Sequence, residues 1–124
     1  MKLTTNFNLS EFNKRNYNVP TDVLRNLIEL AKNLQVLRDE VKKPIKITSG
    51  YRPAELNAKV GGASKSRHIT GEAADLKIEG YTPKQVAAII EKLIAAGKMK
   101  QGGLGTYSTW VHYDVRGTAA RWAK

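Results

Sequence analysis

The segment SRHITGEAADLKI, residues 66–78, carries the pattern on which the fold prediction depends. Its second half alternates the apolar residues Ala74, Leu76 and Ile78 with polar ones, and this period-two pattern predicts a strand with one buried face. Because successive side chains of a strand point to opposite faces, Asp75 should point away from the core. The segment therefore predicts a strand that carries a carboxylate on the face opposite the core.

The chain has two histidines, and both lie close to such a strand. His68 precedes the strand that contains Asp75, on the turn that leads into it. His112 lies in a second alternating stretch, residues 111–116, in which apolar residues occupy every other position. On the same reasoning, His112 should also point away from the core. If the two strands are neighbours in the sheet, His68, Asp75 and His112 can converge on one site.

Two imidazoles and one carboxylate form a donor set that suits Zn²⁺. The chain has no cysteine, so a thiolate site is excluded. A catalytic zinc ion lowers the pKa of bound water toward about 7 and polarises a carbonyl, which predicts hydrolytic chemistry. The spacing of the three residues matches none of the common short zinc motifs, such as His-Glu-x-x-His. Ordinary surface or hydrogen-bonded histidines therefore stay open as the alternative.

The sequence before this segment predicts a long helix, a short strand and a long loop. Apolar residues recur at helical spacing between Pro20 and Pro44, which indicates about five turns. Residues 45–49 alternate as a short strand. Residues 51–71 lack sustained periodicity, apart from a short helix predicted at residues 54–60. A loop of this length inside a compact domain is usually functional.

The remaining segments add a second helix and complete the fold class. Thr82 and Pro83 begin this helix, and Gly97 ends it. The polar N-terminal segment should dock on the core through its aromatic side chains. We therefore predict that residues 1–124 form a single α+β domain, with helices packed on one face of a small, mainly antiparallel sheet.

The charge balance is the strongest compositional signal. With 21 Lys and Arg against 11 Asp and Glu, the formal net charge is +10 and the pI is about 9.9. This charge favours polyanionic partners, namely nucleic acid, anionic lipid or the acidic polymers of a bacterial cell wall. No stretch reaches membrane-spanning length, and the N-terminus lacks the apolar core of a secretory signal. We therefore expect synthesis in the cytoplasm without a signal peptide, and no membrane insertion.

Three segments together resemble a known family. The first is Ser-x-His-x-x-Gly-x-Ala-x-Asp at residues 66–75, and the second is Thr-Ser-Gly-Tyr-Arg-Pro at residues 48–53. The third combines Gly-Leu-Gly-x-Tyr and Val-His-x-Asp-Val-Arg within residues 103–116. With these segments in their order along the chain, residues 5–117 resemble the zinc D-alanyl-D-alanine carboxypeptidases and L-alanyl-D-glutamate endopeptidases, which have the hedgehog/DD-peptidase fold. A ten-residue pattern with a separate His strand is a specific signal.

The resemblance implies a zinc peptidase that acts on bacterial peptidoglycan. By position, it gives one Zn²⁺ ion three protein ligands: His68, Asp75 and His112. It assigns Arg52 to catalysis and substrate binding, because a guanidinium fork can hold a substrate carboxylate or the polarised carbonyl. Ser66 and Tyr107 would contact the substrate as well, and Ser66 could instead orient the loop.

One position departs from the pattern of the family. Many members carry a Glu or Asp three residues before the last His ligand as general base, and this chain has Thr109 there. Asp114 lies two residues after His112 on the same strand face, so it is the candidate for the base or for a hydrogen-bond partner of a His ligand. Glu72 is a weaker substitute. The alternative function is therefore a catalytically inactive zinc-binding module of the same fold.

The predicted function is zinc-dependent hydrolysis of a peptide bond in the stem peptide of the bacterial cell wall. The reaction would be that of a D,D-carboxypeptidase or of an L,D- or D,D-endopeptidase. We expect a monomeric phage or prophage endolysin that reaches the wall through holin-type pores or on lysis. A nucleic-acid partner is not expected, because the basic residues are spread along the chain and no recognition signature accompanies them.

Overall fold

The computed structural model describes residues 1–62 and 65–124 of the protein. Residues 63 and 64 belong to the loop predicted at residues 51–71 and lie outside this described part. Helices and strands follow one another along the chain. Their bounds are α1 (Leu9–Phe12), α2 (Thr21–Val41), β1 (Ile45–Ser49), α3 (Ala54–Lys59), β2 (Ala73–Ile78), α4 (Pro83–Ala95), β3 (Gly103–Thr106), β4 (Val111–Asp114) and β5 (Ala120–Ala123).

The five strands of the described residues form a mixed sheet in the order β1-β2-β4-β3-β5. The pairs β1–β2, β2–β4 and β4–β3 are antiparallel, and β3–β5 is parallel. The predicted α+β fold with a mainly antiparallel sheet is confirmed. The sequence predicts no strand after Gly117, because the four residues of β5 are too few to show a periodic pattern. Pairing with β3, which is distant in sequence, determines where β5 lies.

The two long helices begin and end close to where the sequence predicts. α2 begins directly after Pro20 and ends at Val41, and the next residue, Lys42, caps the helix with a left-handed φ of 56°. α4 begins with a capping box: Gln85 N donates to Thr82 Oγ1 at 3.2 Å, and Thr82 N donates to Gln85 Oε1 at 2.8 Å. These signals are local, so the sequence alone shows them. Within the described part of the chain, no helix combines the length and apolar character needed to cross a bilayer.

The hydrophobic core lies between the helices and one face of the sheet. Leu27, Leu30 and Leu34 of α2 are fully buried, and they belong to one cluster with Leu76 of β2 and Tyr113 of β4. Along β2 the burial pattern follows the predicted alternation, with the apolar residues inside. The core thus occupies one face of β2 and leaves Asp75 on the other.

The N-terminal segment docks on the core through two phenylalanines. Phe7 and Phe12 are each 1% exposed, with ring centroids 5.8 Å apart. Tyr51 N donates to Phe12 O at 2.7 Å, and a Cβ added at Gly50 would lie 2.5 Å from the same oxygen. This close approach holds the backbone of Gly50 and Tyr51 in place directly after β1, where the candidate functional site begins.

β4 is buried on both of its faces, which the alternation does not predict. His112 and Asp114 lie on the face away from the core, as predicted, yet they are only 7% and 0% exposed. The additional cover includes Trp122 of β5, whose ring lies 5.0 Å from the ring of His112. The side of the sheet opposite the helices is therefore enclosed around β4 instead of being open to water.

Replacing Gly50 by alanine should lower the free energy of unfolding by about 1–3 kcal/mol, because the added methyl group overlaps the backbone of Phe12. Urea denaturation of the metal-free protein measures this change. Ser108→Ala, on an exposed turn, is the control and should change the value by less than about 0.5 kcal/mol. An unchanged denaturation midpoint for Gly50→Ala would contradict the close contact between the N-terminal segment and the end of β1.

Candidate metal centre

Three side chains meet on the sheet face opposite the core. Asp75 on β2 is paired with His112 on β4, and His68 lies on the turn before β2. His68 Nε2 and His112 Nδ1 each lie 3.4 Å from Asp75 Oδ1. The ligand atoms of the three residues all lie within 4.8 Å of one another. The convergence predicted from the strand alternation is confirmed.

These distances fit a bound zinc ion. Ligand atoms about 2.0–2.1 Å from a tetrahedral zinc ion lie about 3.4 Å from each other. Both nitrogens have this separation from the carboxylate oxygen. Two imidazole nitrogens and one carboxylate oxygen also leave a fourth position for water or substrate, as in catalytic zinc sites. The predicted cofactor, one Zn²⁺ ion, therefore fits the residues that the fold brings together.

His68 is oriented by the backbone at the end of β1. Its Nδ1 lies 2.8 Å from the carbonyl oxygen of Gly50. Since a carbonyl can only accept, Nδ1 carries the hydrogen and Nε2 is left as the metal-binding nitrogen. Ser66 Oγ accepts from the backbone N–H of His68 at 3.2 Å, so Ser66 helps to shape the turn. The ring of His68 is almost completely buried.

His112 has the opposite tautomer. Its Nε2 lies 2.7 Å from Asp114 Oδ2, so Nε2–H donates to the carboxylate and Nδ1 is free to face Asp75. Such an outer carboxylate fixes the ring and makes it a better metal ligand. The geometry therefore gives each histidine one nitrogen for a metal and one for a fixed partner.

Asp114 is fully buried, and several donors surround its carboxylate. Oδ1 accepts from the backbone N–H of Gly103 at 2.8 Å and from Arg116 Nε at 2.9 Å. Arg116 Nη2 donates to Oδ2 at 2.8 Å. Burial alone would raise the pKa of Asp114, but the bonds from His112, Arg116 and Gly103 hold it well below its usual range. The carboxylate is therefore ionised and has no exposed oxygen.

The glycines of β3 make room for this arrangement. A Cβ at Gly103 would overlap the Asp114 carboxylate and Arg116, and a Cβ at Gly105 would overlap the Trp122 indole. A Cβ at Gly102, just before the strand, would overlap the Asp114 backbone. The Gly-rich stretch before Tyr107 thus serves the close packing of the site.

Asp75 and His112 influence each other's ionisation. Burial would raise the pKa of Asp75, but the neighbouring rings of His112 and His68, which donate to its carboxylate when they are protonated, lower it to about 2. Burial would lower the pKa of His112, but its bonds to Asp114 and Asp75 raise it above the usual value. Because a metal needs the unprotonated nitrogen, zinc affinity should decrease as the pH falls through this raised pKa.

The three ligands form part of a cleft of about 620 Å³. The residues predicted to bind substrate, Arg52, Ser66 and Tyr107, also line it. Its charged walls are mainly cationic, and Asp75 is the sole carboxylate among the described residues that line it. The cations are Arg52, Lys65, Arg67, Arg116 and Lys124. The cleft therefore suits an anionic ligand.

Arg52 stands next to His68 in this cleft. Its backbone N–H donates to the carbonyl of His68 at 3.1 Å. Its side-chain Nε is buried and has no hydrogen-bond partner within residues 1–62 and 65–124. A buried guanidinium nitrogen without a partner is costly, so an acceptor supplied by a ligand would satisfy it.

Asp114, Glu72 and Thr109 do not line the cleft, unlike the predicted metal ligands and the predicted substrate-binding residues. Asp114 lies behind His112, enclosed by Arg116 and the β3 backbone. Thr109 is exposed on the turn between β3 and β4 and faces a different depression of the surface. The position at which many members of the resembled family carry an acid is thus outside the cleft in this chain.

Trp122 and Arg116 belong to the site as well, although the sequence alone does not predict a role for either residue. Trp122 packs on His112 and donates from Nε1 to Tyr107 Oη at 2.8 Å. Arg116 binds Asp114 through two nitrogens. Two features of the sequence point to these roles, namely the Gly-x-Gly spacing of β3 and the Arg two residues after Asp114. Neither feature shows which side chain is contacted unless the fold is known.

Comparison with known proteins identifies the family to which the sequence is similar. The sequence matches the peptidase M15 family over residues 5–114. It is 36% identical over 88 residues to the peptidoglycan L,D-endopeptidase MepK of Escherichia coli strain K12, covering 65% of this chain and 44% of MepK. It is 50% identical over 44 residues to the zinc D-Ala-D-Ala carboxypeptidase of Streptomyces albus G, covering 35% of this chain and 17% of that enzyme. The matched region thus spans less than half the length of these relatives.

Asp114→Asn should weaken zinc binding about 10–100-fold, the usual effect of losing an outer partner of a His ligand. The amide keeps the size of the side chain but lacks the negative charge that orients His112. Competition with a chromophoric chelator measures the Kd. Asp22→Asn, at an exposed position in the first turn of α2, is the control and should bind zinc like the wild type. An unchanged Kd for Asp114→Asn would show that His112 does not depend on this bond.

Proposed function

This chain belongs to the peptidase M15 family, and on that basis we propose that it hydrolyses a peptide bond in the stem peptides of bacterial peptidoglycan with zinc as its cofactor. The observation that carries the proposal is the His68, Asp75 and His112 cluster in the wall of a cationic cleft. The names of the two relatives support the substrate and the metal.

His68 Nε2, His112 Nδ1 and the Asp75 carboxylate would hold the metal. A zinc ion there would supply Lewis acidity toward a carbonyl and toward water. The protein contributes ligands on two neighbouring strands and one tight turn, each with a fixed orientation. Three protein ligands leave one position open for water or substrate, which is typical of a catalytic zinc site, whereas a structural site is usually closed by four protein ligands.

Arg52 is the residue we assign to the substrate carboxylate. Arg52 lines the cleft together with His68, and its buried Nε lacks an acceptor in the described part of the chain. Two other cations of the cleft already have carboxylate partners, because Arg116 binds Asp114 and Arg67 lies 3.5 Å from Glu72. Stem peptides carry free carboxylates, so the charge of Arg52 suits them.

Tyr107 and Ser66 are proposed to contact the peptide as well. The Tyr107 oxygen accepts from Trp122 Nε1, which leaves its own O–H to donate to a substrate carbonyl. Ser66 lines the cleft, but its oxygen already accepts from His68 N–H. We therefore assign Ser66 mainly to shaping the turn that carries His68.

Asp114 is proposed to position His112 and not to act as the general base. Both of its oxygens are engaged, it has no exposure to the cleft, and its pKa is well below the usual range. A base must lie within reach of the proton that it removes. Of the two roles that the sequence leaves open, the contacts favour that of hydrogen-bond partner.

We also propose that the protein is a phage or prophage endolysin that reaches the wall through holin-type pores or on lysis. The net charge of +10 would retain the protein on anionic wall polymers. All proposed metal ligands come from one chain, so a monomer suffices. Co-expression with a holin in a susceptible host should cause lysis only when both proteins are present; lysis by this protein without a holin would contradict the assignment.

The alternative of a zinc-binding module without catalysis has less support. It rests on Thr109, which cannot act as a general base and lies on an exposed turn outside the cleft. Both relatives bear the names of peptidases. The inactive module nevertheless makes a distinct prediction, namely stoichiometric zinc binding with no cleavage by the wild type.

The decisive assay incubates purified, zinc-loaded protein with peptidoglycan and identifies the fragments by mass spectrometry. We expect cleavage of one type of stem-peptide bond, which also tells a carboxypeptidase from an endopeptidase. Cleavage should stop with a chelator and in Asp75→Ala. Absence of cleavage by the zinc-loaded wild type would contradict the proposed function.

Arg52→Gln should lower kcat/KM on stem peptides about 10–100-fold, since a hydrogen bond to a charged group contributes about 1.5–3 kcal/mol. Lys59→Gln removes one positive charge from the exposed end of α3, outside the cleft, and serves as the matched control. Steady-state kinetics on a soluble stem peptide measures both variants. Equal losses in the two variants would mean that only net charge matters, which contradicts the assignment of Arg52.

A further inference from the structure

The indole of Trp122 packs directly on the imidazole of His112. Their ring centroids lie 5.0 Å apart and their planes are inclined by 50°. The contact crosses β3 at Gly105, which is paired with His112 on one side and with Trp122 on the other. A Cβ at Gly105 would overlap the indole. Glycine at this position therefore allows a side chain of β5 to reach a ligand on β4.

The indole itself is held from several directions. Trp122 Nε1 donates to Tyr107 Oη at 2.8 Å. The Tyr107 ring stacks on Trp110, with centroids 4.6 Å apart and planes 9° from parallel. The Arg116 guanidinium lies over the indole, 5.7 Å from its ring centre. Arg116 also binds Asp114, so the indole and the carboxylate that contacts His112 share one partner.

β5 contributes little to the hydrophobic core. None of its four residues is buried, and Trp122 is not part of the core cluster. The contacts of its indole are instead with residues of the cleft. A contribution of Trp122 to the metal site can therefore be separated from a contribution to folding.

We propose that Trp122 is a positioning residue of the metal centre: its indole holds the His112 ring in the orientation that directs Nδ1 to Asp75 and Nε2 to Asp114. This inference rests on the metal site of the proposed function. A ring held by a single hydrogen bond can still turn about that bond and about its side-chain torsions. Packing against a fixed indole removes this freedom before the metal arrives, and such preorganisation increases affinity.

The indole also shields the bond between His112 and Asp114. A charge-assisted hydrogen bond is stronger in a site that excludes water. Without the ring, water could reach His112 from the side of β5, and the imidazole would lose its fixed orientation. The expected consequence is weaker metal binding even when no substrate is present.

The test compares zinc affinity in Trp122→Ala, Trp122→Phe and the control Trp110→Ala. Trp110 lines the same cleft and stacks on Tyr107. Chelator competition gives the Kd, and thermal unfolding of the metal-free proteins reports the fold. The visible spectrum of the Co²⁺-substituted proteins reports the ligand geometry. None of these readouts depends on peptidase activity.

We expect the zinc Kd of Trp122→Ala to rise about 10–100-fold, with an altered Co²⁺ spectrum. Trp122→Phe should recover most of the affinity, because it keeps a ring against His112 and loses only the bond to Tyr107. Trp110→Ala should raise the zinc Kd less than Trp122→Ala does, because Trp110 reaches His112 only through Tyr107 and Trp122. If metal-free Trp122→Ala does not fold, Trp122→Leu replaces it with the same expectation.

Two results would overturn the inference. An unchanged Kd and Co²⁺ spectrum in Trp122→Ala or Trp122→Leu would show that His112 is oriented without the indole. An equal loss of affinity in Trp110→Ala would show that removing any aromatic side chain of the cleft weakens zinc binding, whether or not that side chain contacts His112. A wild type that binds no zinc would instead overturn the metal site itself, so the two failures are distinguishable.

Discussion

The hydrogen bond between His112 and the buried carboxylate of Asp114 is the interaction on which the rest of the site depends. An ionised carboxylate without access to water is costly unless donors from the protein surround it. Here the donors are His112, the guanidinium of Arg116 and the backbone of Gly103. The glycines of β3 are needed because any side chain there would occupy the space of these groups. The bond between His112 and Asp114 thus explains why Arg116 and the glycines of β3 are found together here.

The same constraint sets the chemistry of the two histidines. Asp114 makes His112 present Nδ1, and the carbonyl of Gly50 makes His68 present Nε2. Gly50 is in turn held by the backbone of Phe12, which the N-terminal segment places against the core. Each ligand is therefore fixed by a part of the chain that is distant in sequence. Folding of the N-terminal segment and of the sheet has to be complete before the donor atoms are in place.

Much of the fold and of the metal site could be predicted, because the sequence signals for them are local. The caps of α2 and α4 and the period-two pattern of β2 lie within single elements, and they place Asp75 opposite the core. The same alternation places His112, so the ligand set follows once β2 and β4 are neighbours. The enclosure of Asp114 could not be predicted, since it depends on the backbone of Gly103 on β3 and the side chain of Arg116 both reaching the carboxylate on β4. For the same reason, the sequence leaves open whether Asp114 acts as a base or as a partner of His112.

The most direct test of this account is a crystal structure of the zinc-loaded protein with anomalous diffraction data collected at the zinc absorption edge. We predict one strong anomalous peak, bound by His68 Nε2, His112 Nδ1 and the carboxylate of Asp75, with Asp114 still bonded to His112 Nε2. A peak at another place, or a zinc ion bound through His112 Nε2 with Asp114 displaced, would contradict the central claim that the buried carboxylate prepares His112 for the metal.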